Sequence, residues 1–290
     1  MKIWKKILIV LGVLLLSAGI MAWDAFYSAP SRFNIRYETL SSIYIPGQLD
    51  DVSILFFTDL DYGPFMDEAR LRKLVDTING LAPDVVVFGG DLTDQSVKTI
   101  SAPARRVLTE NLAAINAPLG KFAVYGDNDC ISQQKTTATA EILYAADFEI
   151  LTNASVKLRN TGSESVALVG IGNGINVYQD ISAAYANVPR TAYAITVCHT
   201  PDTAARVPVD ITKYFLAGHS LGGQVYWFFN SLYKPAMTDV YFRGKYTVSG
   251  TFTLDVSSGT GTTGRDVRFL SNAEVVLYRL EHKVLTDTGQ

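Results

Sequence analysis

Cysteine is almost missing from this chain. Cys130 and Cys198 are its two cysteines in 290 residues, which excludes a disulfide framework and a four-cysteine zinc site. Both read as unpaired small core residues. Surplus positive charge is also lacking: 25 Lys and Arg against 28 Asp and Glu give a net charge of -3, so the basic footprint of a nucleic-acid partner is absent. Charged residues make up 18% of the chain against 48% hydrophobic ones, a balance that excludes a disordered protein. No fixed-period repeat or low-complexity tract occurs. What remains is a globular chain long enough for one large domain or two small ones.

Long apolar runs are missing too, with one exception. Lys2, Lys5 and Lys6 precede an uncharged run from Ile7 to Trp23, at the short end of the about 17–25 residues that span a bilayer. A cleaved signal peptide has an apolar core of about 7–15 residues ending in a small-x-small site. Here Ser17, Ala18 and Gly19 lie inside the run, and Trp23, Phe26 and Tyr27 suit an interfacial aromatic belt. The sequence therefore predicts an uncleaved single-pass anchor in the cell membrane, lysines cytoplasmic and the remainder extracytoplasmic. The division expected is an anchor over 1–23, a polar connector over 24–50 and one domain over 51–290.

From Val52 short apolar runs alternate with helical patterns. VSILFFTD (52–59), DVVVFGGD (84–91) and KFAVYGDND (121–129) read as buried strands. Between them, 67–80 places Leu71, Leu74, Val75 and Ile78 on one helical face and stops at Gly80, and 106–116 reads as a second helix. SVALVGIGN, AYAITVCHT and KYFLAGHS follow as strands, and 241–280 reads as hairpins. The pattern predicts an α/β fold, a layered sandwich of two mixed β-sheets flanked by helices.

Polar residues gather where strands end. Asp59 and Asp61 close the first, Asp91 the second, Asp127, Asn128 and Asp129 the third, and His199 and His219 close later ones. Carboxyl ends of strands form the ligand crevice of open α/β sheets. Crowded carboxylates repel unless a cation lies between them. Asp59 and Asp61, two apart, face the same side if the chain there is extended.

The ordered blocks FFTDLDYG, VVVFGGDLTD, FAVYGDND, VCHTPD and AGHSLGGQ resemble the calcineurin-like metallophosphoesterases, in particular their membrane-anchored bacterial branch. That family shows D-x-H, G-D, G-N-H-D, a lone His and G-H-x-H in this order. The resemblance runs from about Val52 to Leu280. It implies a dinuclear site in which Asp59 ligates the first metal, Asp91 bridges, and His199 and His219 hold the second. Two ions about 3.5–4 Å apart would activate a water and clamp the phosphate.

Four positions depart from the family. Asp61 stands where a metal-binding His is expected, Asp127 replaces a ligating Asn, Asn128 replaces the catalytic His and Leu221 replaces the last His. Asp61 and Asp127 still offer oxygen; Leu221 has no lone pair, and Asn128 cannot release a proton at neutral pH. Expected metal residues are thus Asp59, Asp61, Asp91, Asp127, His199 and His219, with Asn128 and Asp129 at the catalytic positions. One divalent ion would be held firmly and a second weakly. The oxygen-rich first site favours Mn or Mg, with Zn or Fe as further candidates. The substrate expected is a phosphoester or phosphoanhydride on a small molecule or a lipid. The alternative is an inactive fold retained for binding.

A serine-hydrolase reading starts from the G-x-S-x-G match of GHSLG, with Ser220 followed by Asp255 or Asp266 and then His282. No oxyanion segment precedes it, and His282 lies in a polar tail. The aromatic group Tyr226, Trp227, Phe228, Phe229 and Tyr233 reads as core, or as a rim near the membrane, and its closeness to GHSLGG would suit a lipid-linked phosphate.

Overall fold

A computed structural model describes residues 3–227 and 230–284. Helix α1, Ile3–Trp23, carries no buried residue and is long and apolar enough to cross a membrane. Its last turn runs on through residues 24–31, where Ala25, Ala29 and Pro30 are buried. The Ala25 carbonyl accepts the Arg268 amide at 2.9 Å, so the helix is seated on the domain and no free linker separates them.

Two six-stranded mixed sheets form the domain. In chain order the elements are β1 (Asn34–Ser42), β2 (Ser53–Phe57), α2 (Glu68–Gly80), β3 (Val85–Phe88), α3 (Ala102–Ala113), β4 (Lys121–Ala123), α4 (Gln133–Ala145) and β5 (Phe148–Ile150). Then follow β6 (Ala154–Leu158), β7 (Val166–Gly170), α5 (Ile181–Tyr185), β8 (Ala194–Val197), β9 (Thr212–Ala217), β10 (Tyr226–Trp227), β11 (Asn230–Ser231), β12 (Gly244–Val248), β13 (Phe252–Val256) and β14 (Glu274–His282). The first sheet runs β1-β14-β2-β3-β4-β5 and the second β12-β13-β9-β8-β7-β6; β10 and β11 make a separate ribbon.

Strands β2, β3, β7 and β8 are buried throughout, the mark of parallel strands covered on both faces. Ile54, Phe56 and Val87 of the first sheet meet Leu168, Ile195 and Leu216 of the second in a shared core. Helices α2, α3 and α4 cover the far face of the first sheet. Helix α2 buries Leu71, Leu74, Val75 and Ile78, the face read from sequence, and Asp67 caps it by accepting the Arg70 amide at 2.9 Å. Each of those side chains adds about 1.5–3 kcal/mol of burial.

Three expectations shift. Helix α3 begins at Ala102, four residues before the periodic stretch, because Ser101 caps it and proline occupies its first turn. The stretch 24–50, read as a connector, carries β1, which pairs in parallel with β14 from Asn34↔Glu274 to Ser42↔His282. The closing region, read as hairpins, supplies one, β12–β13. Its last strand β14 instead crosses to the first sheet and lies between β1 and β2. Phe228 and Phe229 of the aromatic group, and the chain after residue 284, lie outside the described residues.

Candidate metal centre

The crevice lies where β2, β3, β4, β8 and β9 end. Strand β2 stops at Phe57, and Asp59 and Asp61 then take left-handed backbone angles, φ 52° and 50°. The extended geometry expected for this pair is therefore replaced by a tight turn. Asp91 after β3 and His219 after β9 are also left-handed, at φ 59° and 69°. Non-glycine residues accept that region at a cost, and such positions cluster where chemistry is placed. Two glycines admit the close approach: a Cβ on Gly126 would lie 1.9 Å from Asp91 Oδ1, and one on Gly218 would lie 2.5 Å from Asp59 Oδ2.

Asp91, Asp127, His199 and His219 each bring one ligand atom within 4.8 Å of the others. His199 Nδ1 lies 2.7 Å from the Gly89 carbonyl and His219 Nε2 lies 2.8 Å from the Ala236 carbonyl. A carbonyl only accepts, so both nitrogens carry protons. That leaves His199 Nε2 and His219 Nδ1 as bare lone pairs, in the neutral rings, 3.2 Å apart. Asp127 Oδ1 lies 3.4 and 3.1 Å from the same two nitrogens, buried and with no hydrogen-bond partner. Asp91 Oδ2 completes the set, 3.3 Å from His199 Nε2.

Lone pairs and carboxylate oxygens facing one another repel without a positive charge between them. Atoms sharing a cation at about 2.0–2.2 Å lie some 3 Å apart, as four pairs here do at 3.1–3.4 Å. The donor set of two imidazoles and two carboxylates, its orphaned oxygen and its backbone-fixed tautomers fit a divalent ion.

Electrostatics agree with the geometry. Burial raises the Asp127 carboxyl, but contacts with His199 and His219 outweigh it and hold the group well below the usual range. Burial pulls the His199 imidazole down, while Asp91, Asp127 and Asp59 lift it well above its ordinary value. Asp59 and Asp61 are both pushed up, first by burial and then by neighbouring carboxylates, with Asp91 acting on each.

The other sequence candidates stand around this group. Both Asp59 oxygens accept the His219 amide, at 3.0 and 3.1 Å, and His199 Nε2 lies 3.9 Å from Asp59 Oδ1. Asp61 is buried beside Asp59 and Asp91 but outside the four-donor set. Asn128 donates its backbone amide to Asp91 Oδ1 and its side-chain amide to Oδ2, both at 2.9 Å. Asp129 accepts the amides of Asp91, Gly126 and Leu92, each at 2.9 Å. Its oxygens are engaged in holding the Asp91 turn, so it acts as a brace. Burial and the charge of Asp91 push its carboxyl up to about 7.

The serine triad does not assemble. Ser220 is buried with its oxygen accepting the Gly222 amide, Asp255 holds Arg36, Asp266 holds Arg70, and His282 Nδ1 faces the Ile45 carbonyl. Cys198 lies in the core against the Gly172 carbonyl, away from the donors.

One residue escaped sequence reading. Arg268 is fully buried and without a carboxylate partner; its guanidinium donates to the carbonyls of Gly261, Gly259, Ser258, Ser271 and Leu221. Burial lowers it to about 10. It fastens the loop bearing Leu221 to the loop 258–261 packed on Asp59 and Asp61.

No family model matches the chain. An uncharacterised metallophosphoesterase of Bacillus subtilis is 25% identical over 267 residues, covering 92% of each chain. One from Aquifex aeolicus is 28% identical over 273 residues, 89% of this chain and 96% of its own. The chain is thus similar to metallophosphoesterases over most of its length. A transmembrane protein with metallophosphoesterase domain from Danio rerio is 27% identical over 80% of this chain and 53% of its own. A crystal structure of a dimetal phosphatase, also from Danio rerio, overlaps 73% of this chain at 10% identity and a TM-score of 0.39. Within this chain, the four-donor group draws on β3, β4, β8 and β9, so both sheets contribute.

Proposed function

We propose that this chain is a metal-dependent phosphoesterase acting on a phosphoester or phosphoanhydride. Asp91, Asp127, His199 and His219 would hold one divalent ion firmly, and Asp59 and Asp61, with Asp91 shared, would hold a second weakly. The observation that carries this reading is the pair of bare imidazole nitrogens 3.2 Å apart beside the orphaned Asp127 oxygen. Bound there, a divalent ion supplies Lewis acidity toward a phosphoryl oxygen and a water acidic enough to attack.

The protein residues set the limits of that chemistry. The all-oxygen site of Asp59, Asp61 and Asp91 favours Mn or Mg over zinc. Asn128 spends its amide on Asp91 and has no proton to give a leaving alkoxide. A positioned acid is worth about 10²–10⁴-fold, so phosphoanhydrides and aryl esters, whose leaving groups are stable anions, are the substrates of choice. The test is turnover of an aryl and an alkyl phosphodiester by the Mn²⁺-loaded protein. A strong aryl preference supports the reading; equal rates contradict it.

The tie between Asn128 and Asp91 also favours a second reading, a fold kept for binding, which metal uptake without turnover of any phosphoester would select. The folded unit is proposed to begin with β1 at Asn34, anchored by α1 in a membrane, N-terminus cytoplasmic and domain outside.

A further inference from the structure

A groove of about 490 Å³ runs between the last turns of α1 and the domain. Ala18, Met21 and Ala22 form its helix wall, and Val225, Leu232 and Phe269 the opposite one. Its size is that of a small-molecule site, about 300–1,000 Å³, but its lining is apolar except for exposed Arg265 at one end. Phe26, Trp227 and Leu232, at 53%, 50% and 59% exposure, crown the rim. A soluble surface rarely leaves such a patch uncovered.

Position identifies what covers it. One wall is the helix that is apolar enough to span a bilayer, and the Ala25–Arg268 hydrogen bond fixes that helix against the domain. With α1 in a bilayer, as proposed above, the groove opens at the membrane surface and its apolar lining meets the acyl region. Its inner end adjoins the segment that leads to the metal centre. Leu232 and Arg265 also line a smaller pocket of about 220 Å³ with Gln224, Tyr233 and Thr263. Tyr233 follows Leu232 and donates its amide to the Gly223 carbonyl at 3.3 Å, four residues beyond His219. Ala236, in the same segment, orients His219. Residues 232–236 thus connect the groove wall at Leu232 to the carbonyl that meets His219.

We infer that this groove receives an acyl chain of a membrane lipid, so that the phosphate presented to the metal centre is the phosphoanhydride of a lipid headgroup. Burying successive methylenes contributes about 0.8 kcal/mol each, and Arg265 stands where an anionic headgroup would pass. This inference rests on the phosphoesterase reading for its chemistry, while the groove itself is testable without turnover.

The experiment uses the full chain in phosphatidylcholine vesicles doped with a phosphatidic acid bearing a photoactivatable diazirine on its acyl chain. Cross-links are expected on 18–26 together with 225–232 or 265–269. Ala22→Trp, which fills the groove from an exposed helix position, should lower domain-side labelling about tenfold. Gly12→Trp, ten residues earlier on the helix, should leave it unchanged. Hydrolysis of a soluble aryl phosphodiester should be unaffected by either variant. Labelling confined to α1, or domain labelling insensitive to Ala22→Trp, overturns the groove even if aryl turnover is intact. Groove labelling without any aryl turnover supports the lipid site and rejects the phosphoesterase reading instead.

Discussion

Two halves of one crevice carry similar carboxylates in different company. Around Asp127 the neighbours are two imidazoles whose outer nitrogens are tied to Gly89 and Ala236. Around Asp59 and Asp61 they are mainly other carboxylates and the buried Arg268, with His199 Nε2 no nearer than 3.9 Å to Asp59 Oδ1. The first half has its free lone pairs aimed at one point. The second has charge without a nitrogen ligand, and Asp59 spends both oxygens on the His219 amide. Metal affinity depends on aimed and tautomer-fixed donors, so carboxylate number alone does not make the halves equivalent.

The sharpest way to break this contrast is to remove one donor from each half. Asp91→Ala should abolish metal uptake and activity together, a larger loss than the about 10–100-fold that a supporting residue costs. Asp61→Ala should leave the first ion in place by elemental analysis; equal losses from both would erase the distinction.

Restoring what the weaker half lacks should sharpen it. Asn128→His should raise alkyl-ester turnover toward the about 10²–10⁴-fold value of a general acid, with a far smaller effect on aryl esters. Leu221→His should bring bound metal toward two ions per chain, and His also tolerates the φ of 50° at this position better than Leu. An unchanged stoichiometry would mean that the second site fails for reasons beyond Leu221.

The brace is a smaller lever. Asp129→Ala would strand the amides of Asp91, Leu92 and Gly126. It should cost about 1–3 kcal/mol per unsatisfied group, read by denaturant unfolding, and lower metal affinity through displaced Asp91.

Least in size but clear in sign is the pH dependence of the metal-free protein. Asp59, Asp61 and Asp129 have folded values raised above the unfolded ones, the last to about 7. The folded state therefore holds more protons than the unfolded one from about pH 4 upward. His199, also raised, contributes stability below its unfolded value that is lost as pH rises through its folded one. Thermal stability without metal should fall between about pH 4 and 8, and divalent metal should restore it at the upper end. Asp127, lowered, works oppositely, losing its contribution as pH falls through its folded value. A melting temperature rising with pH across that window would contradict these assignments.

Much of this was legible in the sequence because strands buried on both faces read as unbroken apolar runs and end in the residues that matter. Leu71, Leu74, Val75 and Ile78 declared α2 by period, and His199 and His219 declared themselves by ending strands. The role of 34–42 was hidden, since an edge strand alternates exposed and half-buried residues and looks like a polar linker. Arg268 was hidden for another reason: its partners are backbone carbonyls, which leave no trace in side-chain identity. Which groups Asp129 braces emerged only once three amides were seen to converge on it. Asp59 and Asp61 point where they do through left-handed turns, and two-residue alternation does not describe those.

Elemental analysis of the full chain, purified in detergent and incubated with Mn²⁺ as wild type and as His219→Ala, decides whether one divalent ion sits among Asp91, Asp127, His199 and His219. The account predicts at least one ion per chain in the wild type and its loss in the variant. No metal in either, or equal metal in both, would contradict it.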